Sequence, residues 1–238
     1  MNFKYYNQYN YKNVSYWTPA HPSATIASAG CGICCASMVL SAVGIDIDPP
    51  KMAKLAKEWG ARVDTGTDMG VLSFRLKSSY NLNMDKYDDI SRLQKDLSAG
   101  KIAIANVGGD RTGYKGVFSN GGHYIVVYGL TSDARPVIYD PGFYQGKYDS
   151  SYRAKLVTIG EKNQLYADWR TLERDCSNRS PRYYVFSKEQ EEEEKPMTVD
   201  EARKIIKEKA GLSDATLIFL YQYRYGDELL IKLAKAMK

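Results

Sequence analysis

Histidine is nearly absent from this chain: only His21 and His123 occur in 238 residues. Any chemistry that needs an imidazole must use one of these two. Cysteine is scarce as well, and three of the four, Cys31, Cys34 and Cys35, crowd together while Cys176 stands alone. That is not the dispersed spacing of a disulfide framework, so reduced thiols are expected. No second Cys/His pair lies at ligand spacing, so no metal is expected. The glycine-rich stretch 108–122 lacks the Gly-Lys-Ser/Thr ending of a phosphate cradle. It reads as a flap, and no cofactor is expected. The net charge is only +5 with no cluster of Lys and Arg, which gives no reason to expect a nucleic-acid partner. No apolar run reaches the length of a transmembrane segment. The first residues, Met1 to Tyr5, lack the apolar core of a secretory signal, so synthesis in the cytoplasm is expected. Internal repeats are absent, and the only low-complexity tract is a run of glutamates.

What is present is a chain long enough for one large domain and a small appendage. Tyrosine is abundant, with 20 residues, and is read as filling half-buried strand positions. Residues 3–17 read as an extended arm and 18–29, with two prolines, as a loop. A helix is expected from Cys31 to Val43, with Cys31, Cys34, Cys35 and Met38 on one face and Gly44 ending it. Asp48 followed by two prolines opens a second helix running to Trp59. A third begins near Asp68 with Val71, Leu72 and Leu76 inward. A fourth spans Asp88 to Ser98, capped by Asp88. The period then changes. Strands are expected at 101–107, 124–128 and 135–139, near Val157 and Ile159, and at 182–186. A helical turn is expected between Asn163 and Leu172. Helices first and a mostly antiparallel sheet after them make an α+β fold.

The acidic run 189–196 reads as a solvated linker. Beyond it, Thr198 and Glu201 form a capping box. Three short helices are expected, with Val199, Ala202, Ile205 and Ile206, then Leu217, Leu220 and Tyr221, then Leu229, Leu230, Leu233 and Met237 inward. The expected organisation is therefore 1–188 as the main domain, 189–196 as linker and 197–238 as a helical module. A module this small is near the limit for an independent core, so docking or self-association is expected of it.

Gly30-Cys31-Gly32 is the stretch that carries chemistry. A cysteine attacks as its thiolate, and a helix N-terminus lowers the thiol pKa. Flanking glycines let a substrate backbone approach, and the Cys31 N–H can serve as an oxyanion donor. His123 opens a strand after Gly121-Gly122 and is the candidate base, whereas His21 lies in a proline-flanked loop. Asp140, at the end of the next strand in Tyr139-Asp140-Pro141-Gly142, can orient the imidazole if the strands form a hairpin. Gln8 is the candidate side-chain oxyanion donor. Cys31-Gly32-Ile33-Cys34 also spells the C-x-x-C of thiol redox proteins. That motif should follow a strand, and the preceding segment reads as loop. Cys34, Cys35 and Cys176 are expected to be buried packing residues.

Taken in order, Gln8, Gly30-Cys31-Gly32, Gly122-His123-Tyr124 and Asp140-Pro141-Gly142 resemble the papain-like cysteine peptidases. The resemblance is closest to the branch related to the double-glycine leader peptidases of bacteriocin exporters, and it covers residues 5 to about 187. It implies the papain-like fold, with Cys31 as nucleophile, His123 as base, Asp140 orienting it, and Gln8 holding the oxyanion. The interval from Gln8 to Cys31 is longer than in the exporter peptidases. The membrane spans and ATPase of those exporters are missing here, so a leader-processing transporter is not expected. The layout, a hydrolase without a signal and with a small added module, resembles that of phage and prophage lysins. Peptidoglycan is thus the expected substrate, reached through a separate release pathway. A cytoplasmic peptidase, a redox protein and a non-catalytic binding module are the alternatives.

Overall fold

The computed structural model describes residues 3–188 and 197–237; the acidic stretch 189–196 lies outside the described residues. The chain divides into two compact units, Met1–Glu189 and Gln190–Lys238.

In the first unit a short helix α1 (Ile26–Ala29) precedes α2 (Cys31–Ala42) and α3 (Pro49–Glu58). A small hairpin, β1 (Arg62–Val63) and β2 (Gly66–Thr67), leads to α4 (Met69–Tyr80), β3 (Leu82–Tyr87) and α5 (Ile90–Ser98). Then come β4 (Ile102–Val107), β5 (His123–Leu130), β6 (Pro136–Tyr139), β7 (Val157–Ile159), β8 (Gln164–Ala167), α6 (Trp169–Cys176) and β9 (Tyr183–Lys188). Seven strands form one sheet in the order β3-β9-β4-β5-β6-β8-β7, antiparallel throughout. The last strand in sequence is inserted next to β4, between it and β3.

Alternate residues of each strand serve opposite faces, as the strand period requires. Ile102, Ile104, Val126 and Phe186 pack with α2, α3 and α4. Ala103, Ala105, Ile125 and Val127 pack with α5 and α6 through Leu93, Leu97 and Leu172. The expected α+β arrangement of helices on a mostly antiparallel sheet is therefore present.

Helix α2 lies in the middle of the first layer. Every residue from Gly32 to Ala42 is buried. A helix enclosed on all sides needs no polar stripe, which is why its sequence is apolar all round rather than on one face. The side chain of Asp48 caps α3 by accepting from Lys51 N, as expected.

Several expectations are corrected. The supposed loop 18–29 ends in α1, because Thr25 and Ser28 cap each other's backbone. The cap of α5 is Asp89, which accepts from Ser91 N and Arg92 N, while Asp88 binds Ser180 and Arg182 N. Within the helical turn expected from Asn163 to Leu172, Gln164–Ala167 is strand β8, and helix begins only at Trp169 with α6, which Asp168 caps. The hairpin β1-β2 and the edge strand β3 were not expected at all. Nor is 108–122 a loose flap: the buried Asp175 carboxylate accepts from Val117 N, Phe118 N and the Tyr114 hydroxyl.

The second unit consists of α7 (Val199–Ala210), α8 (Asp214–Tyr221) and α9 (Gly226–Ala236). Thr198 and Glu201 form the expected capping box, and Gly211 closes α7 at φ +65. Met197, Ala202, Ile206, Leu217, Leu230 and Ala234 make its core. Tyr221 and Leu229, expected inward, are 45% and 38% exposed.

Candidate active site

Three elements converge on Cys31. It is the first residue of α2 and is half-buried, whereas Cys34, Cys35 and Cys176 are fully buried. His123 opens β5, and Asp140 follows the last residue of β6. The strands pair with Val126 opposite Tyr139, and that register continued outward sets Gly142 across from His123. Space there is tight: a Cβ at Gly142 would lie 3.1 Å from His123 Cε1 and 3.4 Å from Asp140 Oδ1, so a side chain would press on the imidazole.

His123 Nε2 lies 2.7 Å from Asp140 Oδ1. This leaves Nδ1 for the Cys31 thiol, which hydrogen-bonds the imidazole. The sulfur also receives the backbone N–H groups of Tyr124 and Gly32. Burial pushes the Cys31 thiol up, but the hydrogen bond and charge of His123, with the two N–H donors, outweigh it and the net shift is downward. Burial likewise pulls His123 down, and the carboxylate of Asp140 and the Cys31 sulfur overcome this and raise it to about 9. A lowered thiol beside a raised imidazole moves the balance from the neutral pair toward thiolate and imidazolium.

Asp140 is completely buried, and its carboxylate accepts four hydrogen bonds. Oδ1 takes His123 Nε2 and Gly142 N at 2.8 Å, and Oδ2 takes Lys147 Nζ at 2.5 Å and the Tyr148 hydroxyl at 2.6 Å. Burial favours its neutral form, but the His123 and Lys147 charges prevail and hold the carboxyl well below the usual range. Lys147 and Tyr148 escaped the sequence reading. They sit in an irregular loop with no period to expose them, and only their spacing after Asp140 marks them.

Gln8 is buried beside the site. Its backbone N–H donates to Pro141 O at 2.8 Å, and its Nε2 donates to Ala27 O at 2.7 Å. One amide proton thus ties Gln8 to α1, just ahead of Cys31. Tyr5 reaches the same corner, its hydroxyl donating to Asp140 O at 2.6 Å. Gln8, Cys31, His123 and Asp140 therefore gather at one end of α2, while His21 does not join them.

A thiol at a helix N-terminus, facing an antiparallel sheet that carries a histidine and its carboxylate, defines the papain-like class of α+β fold. Within that class the model of the peptidase C39-like family matches residues 1–177, and the chain belongs to this family of cysteine peptidases. Among solved structures, a protein of Bacillus anthracis described as a C39-like peptidase shares the fold with a TM-score of 0.50. The two are 15% identical, over 79% of this chain and 95% of that one. No curated protein matches the chain. Among the described residues, no helix is long and apolar enough to cross a membrane.

Proposed function

We propose that the protein hydrolyses a peptide-type bond with Cys31 as nucleophile, His123 as general base and acid, and Asp140 as the group that orients His123. The observation that carries this reading is the continuous contact from the Cys31 thiol through the imidazole to the buried carboxylate. The thiolate attacks the carbonyl carbon and a C–S bond forms. The oxygen takes the negative charge, facing the Cys31 N–H and the second amide proton of Gln8. The first N–H groups of a helix have no intrahelical acceptor, so the Cys31 donor is free for this purpose. His123 Nδ1 passes its proton to the departing amine, the C–N bond breaks, and an acyl-thioester remains. Water then attacks with its proton going to Nδ1. The C–S bond breaks, and the acid leaves. Asp140 stays ionised throughout.

Burial argues against the redox reading. Cys34, the second thiol of the C-x-x-C, is enclosed in the core, and burial pushes its pKa far up. For the substrate we favour the peptide cross-bridges of peptidoglycan. A compact helical unit following the peptidase unit supports a lysin layout.

Two measurements test the proposal. Iodoacetamide should alkylate Cys31 near neutral pH at least tenfold faster than the other cysteines, and His123→Ala should remove that advantage. Equal, slow labelling of all four thiols would falsify the nucleophile assignment. Purified cell walls incubated with wild type and with Cys31→Ala should release peptide fragments only with the former, read by mass spectrometry. No difference between the two removes the wall as substrate.

A further inference from the structure

Arg179 stands three residues beyond the end of α6, its backbone N–H donating to Cys176 O. Its guanidinium lies on Gly122: a Cβ there would fall 2.5 Å from Nη2 and 3.5 Å from Cζ. Gly122 is the chain neighbour of His123. The Tyr124 phenol, on the other side of His123, lies within electrostatic reach of both Cys31 and Arg179. The other partly buried arginines of this unit are occupied. Arg62 donates to Tyr16 O and Gly66 O, Arg153 to Lys147 O and Gly116 O, and Arg182 to Ser177 O, although Arg62 Nη2, Arg153 Nε and Arg182 Nε are also buried without a partner; what distinguishes Arg179 is that its whole side chain makes no such bond. Arg179 is half-buried, and among the described residues its side chain donates to nothing and pairs with no carboxylate. Its Nε is fully buried without a partner. The Nη groups are not enclosed and have no counter-ion, and the group that fits them is a carboxylate, whose two oxygens match the guanidinium fork.

We propose that Arg179 is a specificity residue that binds a substrate carboxylate on the leaving-amine side of the scissile bond. The inference rests on the peptidase reading above. The side follows from the mechanism: His123 delivers its proton to the departing amine, and Arg179 lies against the residue next to His123. The carboxylate belongs to an Asp or Glu directly after the cut, or to the free C-terminus of a peptide cleaved near its end.

The test is digestion of a peptide library made from a proteolysed bacterial lysate, with wild type, Arg179→Gln, Arg179→Lys and Cys31→Ala, read by mass spectrometry of the cut sites. The measured quantity is the ratio of cleavage at acidic to cleavage at neutral sites. This ratio does not depend on how much of each variant is folded. Wild type should favour carboxylate-bearing sites by about tenfold to a hundredfold, the advantage of a charge-assisted pair. Arg179→Gln should abolish the preference, and Arg179→Lys, which keeps the charge but loses the fork, should retain part of it. Clustering of cuts before Asp and Glu identifies the side chain as the source. Cuts clustered near free C-termini identify the terminal carboxylate. Cys31-dependent cleavage without an acidic preference, or with one unchanged in Arg179→Gln, overturns the inference alone. Absence of Cys31-dependent cleavage in this library overturns the inference; absence of it on cell walls as well overturns the peptidase reading with it.

Discussion

A thiol ionises near neutral pH only where the negative charge is held, and at Cys31 the holders are an imidazole and two backbone N–H groups. The alkylation rate should therefore reach its plateau at a pH below that at which a free thiol ionises, and under the proposed mechanism turnover should fall above about pH 9, as His123 loses its proton. A stopped-flow pH series with iodoacetamide, run beside turnover, checks both limbs. Stability follows with a definite sign. His123 is raised in the folded state, so its contribution is complete below its unfolded value and fades as pH rises through about 9. Asp140 is lowered, so its contribution is present above about pH 4 and fades as pH falls through its folded value. Lys147→Met removes one of the two cations beside that carboxylate. It should cost about 3 kcal/mol in urea unfolding, the low end for breaking a buried pair, because His123, Gly142 N and Tyr148 remain. A loss below 1 kcal/mol would show the pair to be dispensable. Cys31, His123 and Asp140 were legible in the sequence because histidine is so rare and each residue stands at an element boundary marked by glycine. Lys147, Tyr148 and Arg179 were not, since their types do not distinguish them from solvated loop residues and no period exposes them.

Elements meet at this site through two tight turns, and Gly30 makes the first. It ends α1 and immediately precedes α2, and a Cβ on it would lie 2.4 Å from Ile26 O and 2.9 Å from Ile26 Cα. Both are backbone atoms, so the two helices would have to part. Gly30→Ala should lose about 1–3 kcal/mol, the range for overpacking, and slow Cys31 alkylation severalfold, because α1 also carries the Ala27 carbonyl that holds Gln8. Gly66→Ala is the control: nothing lies within 4 Å of a Cβ there, and a change within about 0.5 kcal/mol is expected. Comparable losses for both would mean that close packing at the α1–α2 junction is not what Gly30 supplies. The helices with caps and apolar periods, α3 and α4, were readable because their signals are local. Strand β3 was missed because it is an edge strand with a largely polar sequence, Leu82-Asn83-Met84-Asp85-Lys86-Tyr87. Its identity comes from pairing with β9, about a hundred residues later. The pairing of β9 with β4 is a choice of topology, which no local pattern encodes.

At the scale of the whole molecule, the question is whether two units of unequal core size behave as one. The first has two large clusters of buried side chains, one on each face of its sheet. The second relies on Met197, Ala202, Ile206, Leu217, Leu230 and Ala234, of which two are alanines, and leaves Ile218, Phe219, Tyr223 and Tyr225 at 50% exposure or more. A core of that size supplies only a few kcal/mol. Every residue assigned a catalytic role, with Lys147 and Tyr148, lies in the first unit, and so do all their hydrogen-bond partners named above. A chain ending at residue 188 should therefore keep the urea midpoint of the main transition, and should label Cys31 within twofold of the full-length rate. The full-length protein should show a second, earlier transition for the helical unit, visible as a loss of helical circular dichroism before Cys34 and Cys176 become reactive. A single transition in which helix loss and exposure of the buried thiols coincide would mean that the units fold as one, and truncation at 188 would then also lower the midpoint. With two transitions, the exposed aromatic residues of the second unit contribute little to the stability of the peptidase unit. Their contribution would then be sought in binding, by comparing cell-wall retention of the full chain with that of the chain ending at 188.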